Sequence, residues 1–156
     1  MGKAYVLHQL GALDLDRAAA LHRESFVPLG ERGWTRQDMA ELLASKGVTG
    51  LLLLAGDEDA GLALCRVTAD EAELLTIAVR PGHRRRGAAR RLLAAVVDRA
   101  RESGTRTLFL EVGADNTGAR ALYESAGFAV VGRRMGYYRR GEGPPADAVV
   151  MRLVLC

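Results

Sequence analysis

The stretch PGHRRRGAARRLLAAVV, Pro81 to Val97, decides how this chain is read. Five arginines fall within the eight residues from Arg84 to Arg91, with Gly87 among them. Such a run could grip nucleic acid. It could be a solvated helix face. It could also open a helix whose first turn holds the phosphates of a small cofactor. The flanks narrow the choice. AELLTIAVR, before the run, reads as a strand stopped by Pro81. From near Arg86 onward the pattern is helical: Leu92, Leu93, Val96, Val97 and Ala100 make a core stripe, with Arg85, Arg99 and Arg101 off it. A helix start leaves backbone N–H groups unpaired at the positive end of the dipole, where phosphate oxygens can accept from them. Gly87, Ala88 and Ala89 lack bulk, so a diphosphate can come close, and the arginines add charge around the rim. The run is neither a Walker loop nor a dinucleotide fingerprint.

The whole chain sets bounds on these readings. Its 156 residues suit one domain, residues 1–156, with 49% hydrophobic and 26% charged content. The net charge is only +3, so the basic charge is local. Aromatic residues make up 5%, and none lies within Arg84–Arg91 to stack on bases, so no nucleic-acid partner is implied. Cys65 sits in an apolar run and reads as a buried small hydrophobe, and Cys156 ends the chain. The pair forms no disulfide framework, and with His8, His22 and His83 scattered there is no ligand spacing, so no metal is expected. GLLLLAG is too short to span a bilayer and no targeting segment is visible, so the expectation is a cytoplasmic protein with no membrane partner. Nothing in the sequence specifies an oligomeric state.

Outward from the arginine run, the elements alternate. AYVLHQL reads as a strand. DLDRAAALHRESF reads as a helix with Leu13, Ala18, Leu21 and Phe26 on one face, and WTRQDMAELLASKG as a second, with Thr35 as N-cap and Gly47 as stop. VTGLLLLAG, GLALCRVT and AELLTIAVR are three strands in a meander. After the long helix come the buried strand TLFLEV, the helix NTGARALYESAG ending at Gly127, and the strands FAVVG and DAVVMRLVL. RRMGYYRRGEGPPA between the last two reads as a loop. The fold class is mixed α/β around one sheet, about seven strands with four helices, with a parallel right-handed crossover around the long helix.

Three stretches at fixed spacing resemble one family. RRRGAA fits the (Q/R)-x-x-G-x-(G/A) pyrophosphate loop of the GNAT acetyltransferase superfamily, with Arg84, Gly87 and Ala89 at the patterned places. LLTIAV precedes it, and N-x-x-A-x-x-L-Y-x-x-x-G-F is complete in Asn116, Ala119, Leu122, Tyr123, Gly127 and Phe128. Most of the chain resembles the bacterial ribosomal-protein-alanine N-acetyltransferase subgroup. Gly113 departs from it, standing where an arginine often follows Glu-Val, and Ala89 replaces a glycine. The resemblance implies a GNAT-like acyl-CoA N-acyltransferase fold, acetyl-CoA as cosubstrate, and a protein N-terminus as acceptor, such as the alanine terminus of a small-subunit ribosomal protein. A lysine side chain or a small amine is the alternative acceptor. Non-catalytic RNA binding or acetyl-CoA sensing is the alternative of another class.

Roles follow from the same resemblance. Ile77, Ala78 and Val79 would bind the pantetheine arm through their backbone, with a bulge there turning an N–H toward the thioester oxygen. Arg84, Arg85, Arg86, Gly87, Ala88, Ala89 and Arg90 would cradle the pyrophosphate. Glu111 would be the general base, a task within reach of a carboxylate because an α-amine has a pKa of about 8 against about 10.4 for lysine. Tyr123 would be the general acid at the cofactor sulfur, since a phenol stays protonated at neutral pH. Asn116 would bond the pantetheine and also suits a helix N-cap. Tyr137 and Tyr138 would wall the acceptor groove opposite Phe26 and Trp34.

Overall fold

The computed structural model describes residues 4–140 and 142–155, with the backbone alone at Arg139; Cys156 lies outside them. One sheet carries β1 (Tyr5–Gln9), β2 (Val48–Ala55), β3 (Glu58–Thr68), β4 (Glu71–Val79), β5 (Thr107–Gly113), β6 (Ala129–Arg140) and β7 (Gly143–Val154) in the order β1-β2-β3-β4-β5-β7-β6. Every neighbouring pair is antiparallel except β4 and β5. The helices are α1 (Leu15–Phe26), α2 (Arg36–Ala44), α3 (Ala88–Glu102) and α4 (Thr117–Ser125). The meander and the parallel crossover expected from the sequence are both present. Two apolar layers sandwich the sheet. Leu15, Ala18, Leu21 and Met39 of α1 and α2 pack on Leu52, Leu62 and Leu64. On the other face Leu92, Leu93, Val96 and Tyr123 of α3 and α4 pack on Leu53, Ala63, Leu108 and Leu110.

Local chemistry sets the helix ends. Thr35 and Asp38 form a reciprocal capping box on α2: the Asp38 N–H donates to Thr35 Oγ1 at 3.1 Å and the Thr35 N–H to Asp38 Oδ2 at 2.9 Å. α4 ends in a Schellman turn, with Gly127 at φ +100, its N–H bonded to Glu124 and the Phe128 N–H to Tyr123.

The register of β4 positions the site. Leu64 of β3 opposes Thr76 while Cys65 opposes Leu74, so Leu75 is an extra residue, a β-bulge. One inserted residue inverts the alternation of side chains. Before it Ala72 and Leu74 face α3 and α4; after it Ile77 and Val79 do, while Leu75 and Ala78 join the opposite layer. The parallel ladder to β5 stops at the same place. It runs from Glu71–Thr107 to Leu74–Leu110 and no further. Beyond it β4 stays with β3 as far as Val79 and β5 stays with β7 as far as Gly113. The two strands part, and a gap opens between their C-terminal halves.

Three expectations are corrected. Leu13 is 99% exposed, because α1 begins at Leu15 and the residues before it form a 3-10 turn; the inner face starts with Leu15 and Ala18. The long helix begins at Ala88, not near Arg86, because Gly87 takes the left-handed conformation at φ +81 and breaks the helical path. RRMGYYRRGEGPPA is not a loop: β6 runs on to Arg140 and β7 begins at Gly143. The ribbon accepts its glycines and prolines because it stands at the sheet edge and is bulged, with register shifts between Arg134 and Tyr138 and again before Arg140.

His22 is buried in the α1–α2 layer between the rings of Phe26 and Trp34, at centroid distances of 4.4 and 4.3 Å. Its Nδ1 accepts the Trp34 backbone N–H at 3.1 Å, so protonation there breaks a bond. Burial, and then the nearby Arg32 charge, push the imidazole down to about 4. The unfolded chain then takes up this proton at about 6.5, before the folded one does. Stability from this group is therefore complete above about pH 6.5 and falls as the pH drops toward 4. Urea midpoints at pH 7.5 and pH 5 should differ in the wild type, and His22→Gln should narrow that difference. An undiminished difference in the variant would assign the effect to other groups.

Candidate active site

Backbone alternation decides which groups line the gap. The Arg80 N–H donates to the Ala60 carbonyl at 2.8 Å, so residue 80 turns its amide toward β3. Alternating back along the strand, Ala78 also faces β3, and Ile77 and Val79 turn their N–H and C=O groups the other way, into the gap. Ser25 Oγ, buried on α1, donates to the Val79 carbonyl at 3.2 Å, so that carbonyl already has a partner.

α3 starts at the mouth of the gap. Its first turn differs from those of α2 and α4 in having no side-chain cap, and from that of α2 in having no acidic residue. The first helical bond is Arg91 N–H to Gly87 C=O at 2.9 Å, which leaves the N–H groups of Ala88, Ala89 and Arg90 without partners among the described residues. A Cβ at Gly87 would meet nothing within 4 Å, so the space in front of these donors is open. Arg84, Arg85, Arg86 and Arg90 are exposed around it. Arg85 itself is left-handed at φ +61, a conformation costing roughly 1 kcal/mol for a residue with a Cβ. His83 roots the loop: buried, it meets Glu58 Oε2 at 3.0 Å through Nε2 and the Tyr5 hydroxyl at 3.3 Å through Nδ1. Unpaired donors, a dipole end, open room and exposed cations suit a diphosphate.

Glu111 lies on β5 just past the last residue paired with β4, and its Oε1 is 3.1 Å from Arg134 Nη2 of β6. Arg134 in turn stacks over the Tyr137 ring at 5.2 Å. Beyond Glu111 the strand leads into α4, where Asn116 Oδ1 accepts the Ala119 N–H at 3.2 Å and caps the helix. Tyr123 is buried on α4, edge-on to Phe128 at 5.8 Å, and its hydroxyl has no hydrogen-bond partner among the described residues. Burial first, and the neighbouring Tyr138 second, push the Tyr123 phenol well above its ordinary value. Tyr138 is pushed up to about 12 by burial, with the charges of Glu31 and Glu111 adding to it. Tyr138 thus ties Glu111 and Tyr123 into one electrostatic neighbourhood. Phe26 and Trp34 lie in the α1–α2 layer, in the ring stack around His22.

Several contributors escaped the sequence reading. Arg134 from the ribbon pairs with Glu111, while Arg140 from the ribbon, Glu31 from the segment after α1 and Asp115 from the β5–α4 turn pair with one another beside Tyr138. The paired arginines and tyrosines of RRMGYYRR were the available signal. Among the described residues no group of three or more His, Cys, Asp or Glu side chains could hold a metal, and no helix is long and apolar enough to cross a membrane. Cys65 is buried, which pushes its thiol up to about 11, as suits a packing residue.

A parallel strand pair parts here before an uncapped basic helix start, with the Glu111 carboxylate just past the split, and the family comparison places this fold among the acyltransferases. The sequence model of the Acetyltransferase (GNAT) family matches residues 15–128, and the chain belongs to that family. Among its relatives, the ribosomal protein bS18-alanine N-acetyltransferase of Salmonella typhimurium is 45% identical over 103 residues, 66% of this chain and 69% of that one. The protein of the same name from Haemophilus influenzae is 31% identical over 150 residues, 96% of this chain and 99% of that one. The crystal structure of the ribosomal-protein-S18-alanine N-acetyltransferase from Escherichia coli has a TM-score of 0.89 to this fold at 31% identity, covering 97% of this chain and 94% of that one.

The cap on α4 is measurable by itself. Asn116→Ala should lower stability by about 1 kcal/mol, read by urea denaturation, and Asn116→Asp should recover most of it. Equal loss in both variants would show that the side chain matters for something other than accepting the Ala119 N–H.

Proposed function

We propose that this chain is an acetyl-CoA-dependent N-acetyltransferase of protein α-amines, acting on the N-terminal alanine of a small-subunit ribosomal protein in the cytoplasm. The observation that carries the reading is the gap between β4 and β5, with unpaired amides of α3 at one end and Glu111 at the other. The relatives named for bS18-alanine acetylation, one of them matched along nearly its whole length, support the acceptor.

When bound, acetyl-CoA supplies an activated acetyl thioester. The α3 start and Arg84–Arg90 hold its diphosphate, and the gap-facing groups of Ile77 and Val79 bond its pantetheine arm like an added strand. An amide donor in that row is the type of group that stabilises charge developing on the thioester oxygen. As the amine nitrogen bonds to the acetyl carbon, the Glu111 carboxylate accepts the proton that the nitrogen loses. As the carbon–sulfur bond breaks, the Tyr123 hydroxyl gives its proton to the sulfur, and both groups are reset by exchange with solvent. Tyr123 suits that role because its environment keeps the phenol protonated well past neutral pH.

Glu111→Gln and Tyr123→Phe should fold, bind acetyl-CoA and lose about 10²–10⁴-fold in kcat on an alanine-starting peptide. Wild-type kcat in both would remove these assignments. Peptides offering a free α-amine or only a free lysine should be separated by mass spectrometry in favour of the α-amine; preference for lysine would sink the acceptor reading. Gly87→Glu places a carboxylate in front of the free amides and should raise KM for acetyl-CoA far more than KM for peptide. Equal rises would count against the cradle.

A further inference from the structure

Arg140, at the end of β6, is held as few surface arginines are. Its Nε and Nη2 bond Asp115 Oδ2 and Oδ1 at 2.8 and 2.9 Å, a parallel fork-to-carboxylate pair. Its Nη1 lies 3.3 Å from Glu31 Oε1, and the guanidinium is 5.0 Å from the centre of the Tyr138 ring. The side chain is only 15% exposed and that of Glu31 only 19%. Beneath it, Gly113 leaves the space free: a Cβ there would overlap Arg140 Nη2 and come within 2.7 Å of Asp115 Oδ1. Gly113 is not among the glycines with positive φ, so this spacing, rather than backbone conformation, calls for glycine.

Three segments distant in sequence are joined through this one side chain: the connection from α1 to α2 through Glu31, the β5–α4 turn through Asp115, and the ribbon through Arg140. They are tied to Glu111 through Tyr138, whose ring lies under Arg140 and whose phenol feels the charges of both Glu31 and Glu111. The ion triad is unequal. Asp115 receives the two short bonds and is held below the usual carboxylate range by them. Glu31 has the single longer contact, and its burial pushes it up despite the arginine. Without the guanidinium, two carboxylates would face each other with nothing between them.

We propose that Arg140 is a positioning residue for the acceptor: a strap that fixes the segment around Glu31 against the β5–α4 corner and so sets the width of the acceptor side of the cleft, with Gly113 as the space that lets it close. This rests on the reading of the Glu111 end as the side where the amine enters.

Two variants release the strap by different routes. Arg140→Met removes the charge, and Gly113→Ala dislodges the guanidinium while keeping all three charges. In steady-state acetylation of an alanine-starting peptide, each should raise KM for peptide by about tenfold and leave KM for acetyl-CoA within about twofold. Arg140→Lys, which keeps the charge and loses the fork, should fall between wild type and Arg140→Met. The double variant Gly113→Ala/Arg140→Met should be no worse than Arg140→Met alone, since the alanine acts through the arginine. Unchanged peptide KM, equal rises in both KM values, or additive effects in the double variant would overturn the strap. A second readout needs no turnover. Amide hydrogen exchange across residues 27–34 should quicken in Arg140→Met and in Gly113→Ala, and unchanged exchange would also overturn it. If the wild type acetylates no peptide while this exchange quickens, the acceptor reading fails and the strap stands.

Discussion

The structure depends on the parting of β4 from β5. Parallel strands ordinarily hold each other through evenly spaced bonds along their shared length. Here the ladder lasts only as far as Leu74 and Leu110, and the bulge at Leu75 sits where it ends. From that point the backbone groups of Ile77 and Val79 that a neighbouring strand would take are offered to the gap, except the Val79 carbonyl, which accepts from Ser25 Oγ. The bulge does a second job. By inverting the alternation it keeps Ile77 and Val79 packed against α3 and α4 although Leu74 already faces that way. The gap thus opens without stripping the core beneath it.

Everything at the mouth follows from that parting. The chain leaves β4 into the arginine loop and α3, and leaves β5 into the Asn116 turn and α4, so two helix starts flank one opening. They are finished differently. Asn116 caps α4 by accepting the Ala119 N–H, whereas α3 carries no side-chain cap and is rimmed with arginine. On the far side the β6–β7 ribbon brings its arginines to three carboxylates, Glu31, Glu111 and Asp115, with Tyr137 and Tyr138 beneath the guanidiniums.

The helices, the meander, the parallel crossover and the core were legible because they rest on periodicity and punctuation, such as the stripe from Leu92 to Ala100, Thr35 with Asp38, and Gly127; the place of β7 between β5 and β6 was not. The GNAT-like motifs marked Glu111, Asn116 and Tyr123, and the family model that matches residues 15–128 confirms the family those motifs pointed to. Less legible was anything set by partners far apart in the chain. The pairing of Arg140 with Glu31 and Asp115 leaves no local pattern, and the glycine and proline content of the ribbon points to a loop, masking the strand that its register with β7 shows. The bulge did have a local signal. Apolar residues at 72 and 74 and then at 75, 77 and 79 show the alternation slipping at Leu74–Leu75.

The central claim is that the gap-facing edge of β4 takes the pantetheine arm of acetyl-CoA as an added strand. Residue-resolved amide hydrogen exchange with and without acetyl-CoA tests it most directly. The Ile77 and Val79 amides should slow sharply on addition, while Ala78, already facing β3, should not change. Protection of the α3 start with Ile77 and Val79 unaffected would contradict the account, because acetyl-CoA would then bind without entering the gap.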